Sequence, residues 1–273
     1  SVSELHSCVE HLSLELLHHS STRCFGMGPW LAPSLVIKMK RLSFGCMITT
    51  IPSLQPRSTV CRSLLLRTDM GPLMKALHRP DLFGWTQFNE DLNLDSHSLF
   101  WVRHEGNVVV DPVHATDHDL RHMAQLGGVS AILLTCSGNL RESEALSEMT
   151  GATIYAPIQA RAQLESVCDE WLEPGPSPFH GLDAIEIHGP RTSGELAFLL
   201  DGTTLLMGDF LRGTIAGSLS LLSPDQIGSP AMANASLQKL ASLEHIEAVW
   251  LAKGWPLFHR AGEKLNALVA DLG

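Results

Sequence analysis

No uninterrupted apolar run of about 18 residues occurs in the 273-residue chain, so the sequence carries no signature of a membrane-spanning helix. The most apolar early stretch, 31–51, is broken by Pro33, Lys38, Lys40 and Arg41. Basic residues are scarce: 19 Lys and Arg stand against 29 Asp and Glu, a formal net charge of −10. That balance argues against nucleic acid or an anionic membrane surface as partner, because both are polyanions. The six cysteines form no CxxC pair and no Cys/His finger spacing, so neither a zinc module nor a disulfide framework is readable. Free thiols in a reducing, cytoplasmic compartment are the expectation. Gly-x-Ser-x-Gly and His-Glu-x-x-His are missing, and the Gly213–Gly217 stretch lacks the Lys-Ser/Thr of a phosphate loop.

What is present divides the chain. Residues 1–73 carry seven Lys and Arg, four Asp and Glu and four of the six cysteines, so this quarter is mildly basic while the remainder is strongly acidic. Its hydrophobic periodicity is poor. Three readings stay open for it: an upstream extension of a protein that begins at Met74, an organelle-targeting segment, or an accessory segment. The acids Glu4, Glu10 and Glu15 fit a leader poorly.

From Met74 onward strands and helices alternate. Strands are expected over 99–103, 108–111, 129–135, 153–156, 184–188, 195–200, 204–207 and 246–252. Helices are expected from Thr116 or Asp117 to 126 and over 142–149, 158–167, 231–243 and 260–272. Asp201-Gly202 reads as a two-residue hairpin turn. Hairpins interrupting the alternation point to a mixed α/β layered fold rather than a purely parallel sheet.

Several short anchors then coincide. Val109-Val110-Asp111-Pro112 ends one strand in an acid. Ala131-Ile132-Leu133-Leu134-Thr135 runs into Cys136-Ser137-Gly138-Asn139-Leu140-Arg141. Pro190-Arg191-Thr192-Ser193-Gly194-Glu195 precedes a hairpin whose second strand ends in Gly208-Asp209. The last strand ends in Ala252-Lys253-Gly254-Trp255-Pro256. Over roughly residues 78–270 this order resembles the metallo-β-lactamase superfamily. The resemblance implies an αββα four-layer sandwich of two mixed sheets flanked by helices, a hydrolase, and a two-zinc site. In that family Thr-His-x-His-x-Asp-His follows the second strand. The four ligand positions fall here on Cys136, Gly138, Leu140 and Arg141. A further His position falls on Arg191 and the final one on Lys253 or Gly254. The bridging acid falls on Asp209.

Gly and Leu offer no donor, and a zinc hydrolase needs about three protein ligands plus an open position for water. The resemblance therefore implies a degenerate metal site with no zinc cofactor. Activity would be metal-independent or lost. The alternative is a non-catalytic protein that holds a small anionic ligand or a partner in the former cleft. Cys136, Arg141, Arg191, Asp209, Arg212 and Lys253 are the candidate ligand-binding residues, with cationic side chains around Asp209 replacing metal charge. No catalytic residue is assigned. Cys136 as a nucleophile has no neighbouring His in sequence, and buried structural Cys is the commoner case. His114, His118 and His122, spaced by four, read as an exposed polar helix face. Trp171, Trp250 and Trp255 read as core or rim residues.

Overall fold

The computed structural model describes residues 74–192 and 194–272. The readings made for residues 1–73, and for Ser193 in its turn, lie outside the described residues.

Two sheets form the centre. The first takes its seven strands in chain order: β1 (Lys75–Ala76), β2 (Leu82–Asn89), β3 (Leu94–Trp101), β4 (Val108–Val110), β5 (Ala131–Leu133), β6 (Thr153–Pro157) and β7 (Glu170–Leu172). β1 to β4 pair antiparallel, and β4 to β7 pair parallel. The second sheet contains β8 (Gly175–Pro176), β9 (Leu182–Ile187), β10 (Glu195–Leu200), β11 (Thr204–Met207) and β14 (Ala248–Leu251), in the order β14-β11-β10-β9-β8. A small ribbon, β12 (Leu211–Arg212) with β13 (Ser220–Leu221), lies between β11 and β14 in the chain.

The helices are α1 (Asp117–Gln125), α2 (Ser143–Thr150), α3 (Arg161–Leu164), α4 (Pro230–Ala241) and α5 (Ala261–Leu272). Three apolar clusters separate the layers. Leu82, Leu99 and Val110 meet Leu196, Phe198, Leu206 and Trp250 between the sheets. Val109, Ile132 and Ile154 face α1, α2 and α3 through Met123, Leu146 and Leu164. Ala197, Leu205, Val249 and Leu251 face α4 and α5 through Leu237, Leu240 and Leu265. Alternate side chains of one strand thus enter different clusters, as the period-two pleat requires. Strands covered on both faces read as continuous apolar runs such as Ala131–Leu133 and Ala248–Leu251. The result is the αββα sandwich.

Local signals set the ends. Thr116 caps α1 in a reciprocal box with Asp119, and Gly151 ends α2 in the left-handed conformation. Thr203 N–H donates to Leu200 O, with positive φ at Asp201 and Gly202 between them, the pattern of a type I′ turn. Because Leu200 pairs with Thr204, three residues connect β10 to β11 rather than two.

Two further expectations need correction. The helix expected over 158–167 is a 3₁₀ turn, Ile158–Ala160, followed by the single-turn α3. The strand expected to start at residue 99 starts at Leu94, because β2, which sequence reading missed, pairs with β3 over eight residues. Gly84, Thr86 and Gln87 dilute the apolar pattern of β2, and the hairpin partner supplies what the pattern lacks. No helix among the described residues is long and apolar enough to cross a membrane.

Candidate functional site at the strand ends

The C-terminal ends of β4, β5, β11 and β14 deliver Asp111, the 134–141 loop, Gly208-Asp209 and Lys253 to one place. Asp111 is fully buried, with φ of 48°. Its carboxylate accepts from Thr135 N–H at 2.9 Å, Thr135 Oγ1 at 2.6 Å and Asn139 Nδ2 at 3.0 Å. Asn139 also donates to Thr135 Oγ1 at 2.9 Å. This web locks the 3₁₀ turn Ser137–Asn139 onto the end of β4. Burial still pushes the Asp111 carboxyl up to about 6, against the pull of Arg141 and Thr135.

Glu195 is also buried and accepts from Phe210 N–H at 2.9 Å. Burial, then the Asp209 charge, pushes its carboxyl up to about 8, so at neutral pH it is mostly the neutral acid. Gly208 makes this proximity possible. A Cβ there would stand 2.5 Å from Thr135 Oγ1 and 2.9 Å from Glu195 Oε1, so no other residue fits without displacing them.

Lys253 closes the cluster. Its Nζ lies 2.7 Å from both carboxylate oxygens of Asp209, and the two side chains are 11% and 21% exposed. Among the described residues it is the one cation within 4 Å of that carboxylate. Gly138 faces the pair: a Cβ on it would lie 3.3 Å from Asp209 Oδ2 and 3.7 Å from Cys136 Sγ. Cys136 is buried. Its thiol is pushed well up by burial and then by the Asp209, Glu195 and Asp111 charges, which keeps it protonated.

The other cations expected around Asp209 lie elsewhere. Arg141 sits at φ 42°, and its guanidinium donates to three carbonyls: His97 O at 2.9 Å, Asp111 O at 3.0 Å and Ala252 O at 3.2 Å. It ties β3, β4 and β14 together and forms no ion pair with Asp209. Arg191 is exposed, and its backbone N–H donates to Gln226 O. Arg212 is half-buried in β12, with Nε enclosed and without a hydrogen-bond partner. The charge-replacement expectation thus narrows from several basic residues to Lys253. The histidines expected on one helix face divide: His114 precedes α1, and half-buried His122 accepts from Met74 N–H. Asn139 and Glu195 were not among the expected site residues. Glu195 had the signal of an acid opening an otherwise apolar strand.

A family model described as the metallo-β-lactamase superfamily matches residues 74–272. The chain belongs to the metallo-β-lactamase superfamily.

Solved structures agree on the fold. The DIM-1 metallo-β-lactamase superposes with a TM-score of 0.58 at 14% identity, over 73% of this chain and 97% of that one. A metallo-β-lactamase from Pontibacter korlensis gives 0.58 at 13% identity, over 72% and 98%. FIM-1 from Pseudomonas aeruginosa, solved in a mono-zinc form, gives 0.58 at 13% identity, over 72% and 94%. No curated protein sequence matches this chain. At such identities the shared property is the sandwich, and chemistry has to be argued from the residues present.

Proposed function

We propose that this superfamily member has given up zinc hydrolysis and that the ammonium of Lys253 holds Asp209 where a metal would. The observation that carries the reading is Lys253 Nζ at 2.7 Å from both Asp209 oxygens. The donor set does not fit zinc. Gly138 and Leu140 have no ligating side-chain atom, Arg141 is committed to three carbonyls, and Asp209 with Cys136 falls short of the three or so protein ligands a zinc hydrolase site needs. Covalent catalysis has equally little support, since among the described residues no histidine is hydrogen-bonded to the buried Cys136 sulfur to activate it. The class this favours is a binding protein on a hydrolase fold.

Elemental analysis of the purified full chain, with and without added zinc, tests the reading. Well under one zinc per chain is expected, with no chelator-sensitive hydrolysis of esters, thioesters, phosphoesters or β-lactams. About two zinc per chain, the number a dinuclear site takes, together with hydrolysis that EDTA abolishes, overturns it.

A small anion as ligand is a second reading, favoured by the enclosed, unpartnered Nε of Arg212. Titration with inorganic phosphate, compared between the native chain and Arg212→Met, tests it. Saturable binding that the substitution removes supports the anion site, and no binding to either chain overturns it.

A further inference from the structure

A cleft of about 600 Å³ opens where the edge strands of the two sheets part. One wall comes from β1, β2 and β3, the other from Trp250 in β14 and the segment that follows it. None of Asp111, Cys136, Glu195, Asp209 or Lys253 lines it, although Gly254 does, so the cleft opens beside the cluster described above without sharing its charged side chains. Its volume matches a small-molecule site, not a flat protein-docking surface.

The lining is aromatic, with Trp85, Phe88, Trp250, Trp255 and Phe258 all contributing. Two of these are held out in solvent: Trp255 is 58% exposed and Phe88 55% exposed. Exposed apolar surface concentrated around a concave site marks a place where something binds. The charged residues in the lining, Lys75 and Asp95, are of opposite sign, so the cleft makes no demand for a charged ligand.

His97 supplies a polar group to the lining, and among the described residues no hydrogen-bond partner meets its Nδ1. His97 lines the cleft, and its Nε2 lies 2.6 Å from Gly254 O. A carbonyl only accepts, so Nε2 carries the proton and donates, which leaves Nδ1 as an acceptor. Burial lowers the His97 pKa, so the ring stays neutral and Nδ1 keeps its lone pair. Backbone bonds from Gly254 N–H to Asp95 O (2.8 Å) and from His97 N–H to Ala252 O (2.9 Å) fix the ring's position on both sides.

We infer that this cleft binds a small, neutral, planar aromatic molecule whose ring packs on the Trp255 and Phe88 side of the wall and whose single N–H or O–H donates to Nδ1 of His97. The ring gains apolar burial against side chains that otherwise face water, and the donor fixes orientation. The assignment stands on the β1–β3 edge and does not depend on how the Asp209–Lys253 pair works.

The test uses the full chain and 5-fluoroindole as probe, followed by fluorine NMR, with 1-methyl-5-fluoroindole as the analogue that lacks the donor. Saturable binding of 5-fluoroindole is expected, with the methylated analogue at least about tenfold weaker, as for loss of one hydrogen bond in an enclosed site. Trp255→Ala and Phe88→Ala, both at exposed positions, should each weaken binding several-fold without moving the melting temperature. No saturable binding overturns the proposal. Equal affinity for both probes overturns the role of His97, and with it the stated ligand class. Binding untouched by both substitutions overturns the placement in this cleft.

Discussion

Lys253 and Asp209 form a two-pronged ion pair at the ends of β14 and β11, with Nζ 2.7 Å from each carboxylate oxygen. The strands that carry them are parallel neighbours, Met207 opposite Leu251, so the two side chains leave adjacent strand ends in the same direction. Glu195 and Asp111 stand close enough for each to feel the Asp209 charge. One ammonium therefore answers a cluster of carboxyls.

Removing that ammonium should be costly. Lys253→Met leaves Asp209 beside two other acids with no cation among the described residues in ion-pair reach of it. The expected loss is about 1–3 kcal/mol by denaturant unfolding, below the value for a fully buried pair because both side chains keep some exposure. Adding Asp209→Asn should recover much of it, since the uncompensated charge goes too. A double variant no more stable than Lys253→Met would contradict this account of the pair.

Stability should fall as pH rises. The Glu195 carboxyl is raised from 4.5 to about 8 and that of Asp111 from 3.8 to about 6 in the folded state. The folded chain then binds more protons than the unfolded one between roughly pH 4 and 8. Each group's contribution is complete below its unfolded pKa and is lost as pH rises through the folded value. The melting temperature should drop between pH 5 and 9. Glu195→Gln, which keeps the acceptor for Phe210 N–H, should flatten the upper part of that drop and gain on the order of 1–3 kcal/mol at pH 9. An unchanged pH profile in that variant would show that Glu195 is ionised throughout.

Arg141→Ala should destabilise by on the order of 2–4 kcal/mol, because three carbonyls from three segments lose a charged donor at once. Arg191→Ala, at an exposed position, should change stability by less than about 0.5 kcal/mol. The comparison separates a structural clamp from a surface charge, and equal losses from the two would refute the distinction.

The segment from Met74 to Gly273 should fold without residues 1–73. The family model begins at residue 74, where the hydrophobic pattern also sharpens. Expressed alone, it should be soluble and melt in one cooperative transition. A product that aggregates or melts without cooperativity would show that the core needs the preceding residues.

The sequence carried those features whose physics is local in the chain. The run around Ala131–Leu133 announced a buried strand and that around Ala248–Leu251 a strand, and Thr116 and Gly151 marked helix ends because a cap needs only its own turn. Asp111, Asp209 and the donorless Gly138 and Leu140 were readable because their chemistry is fixed by residue type. Strand β2 was not readable, because its polar residues are made regular by pairing with β3 across the hairpin. The partners of the basic residues were settled only by tertiary structure. Arg141, Arg191, Arg212 and Lys253 are equivalent as charges along the chain. Packing alone sent one to three backbone carbonyls, one to the surface, one to a half-buried ribbon and one to Asp209. A charge acts over a few ångströms, and which charges come that close depends on which strand ends lie side by side.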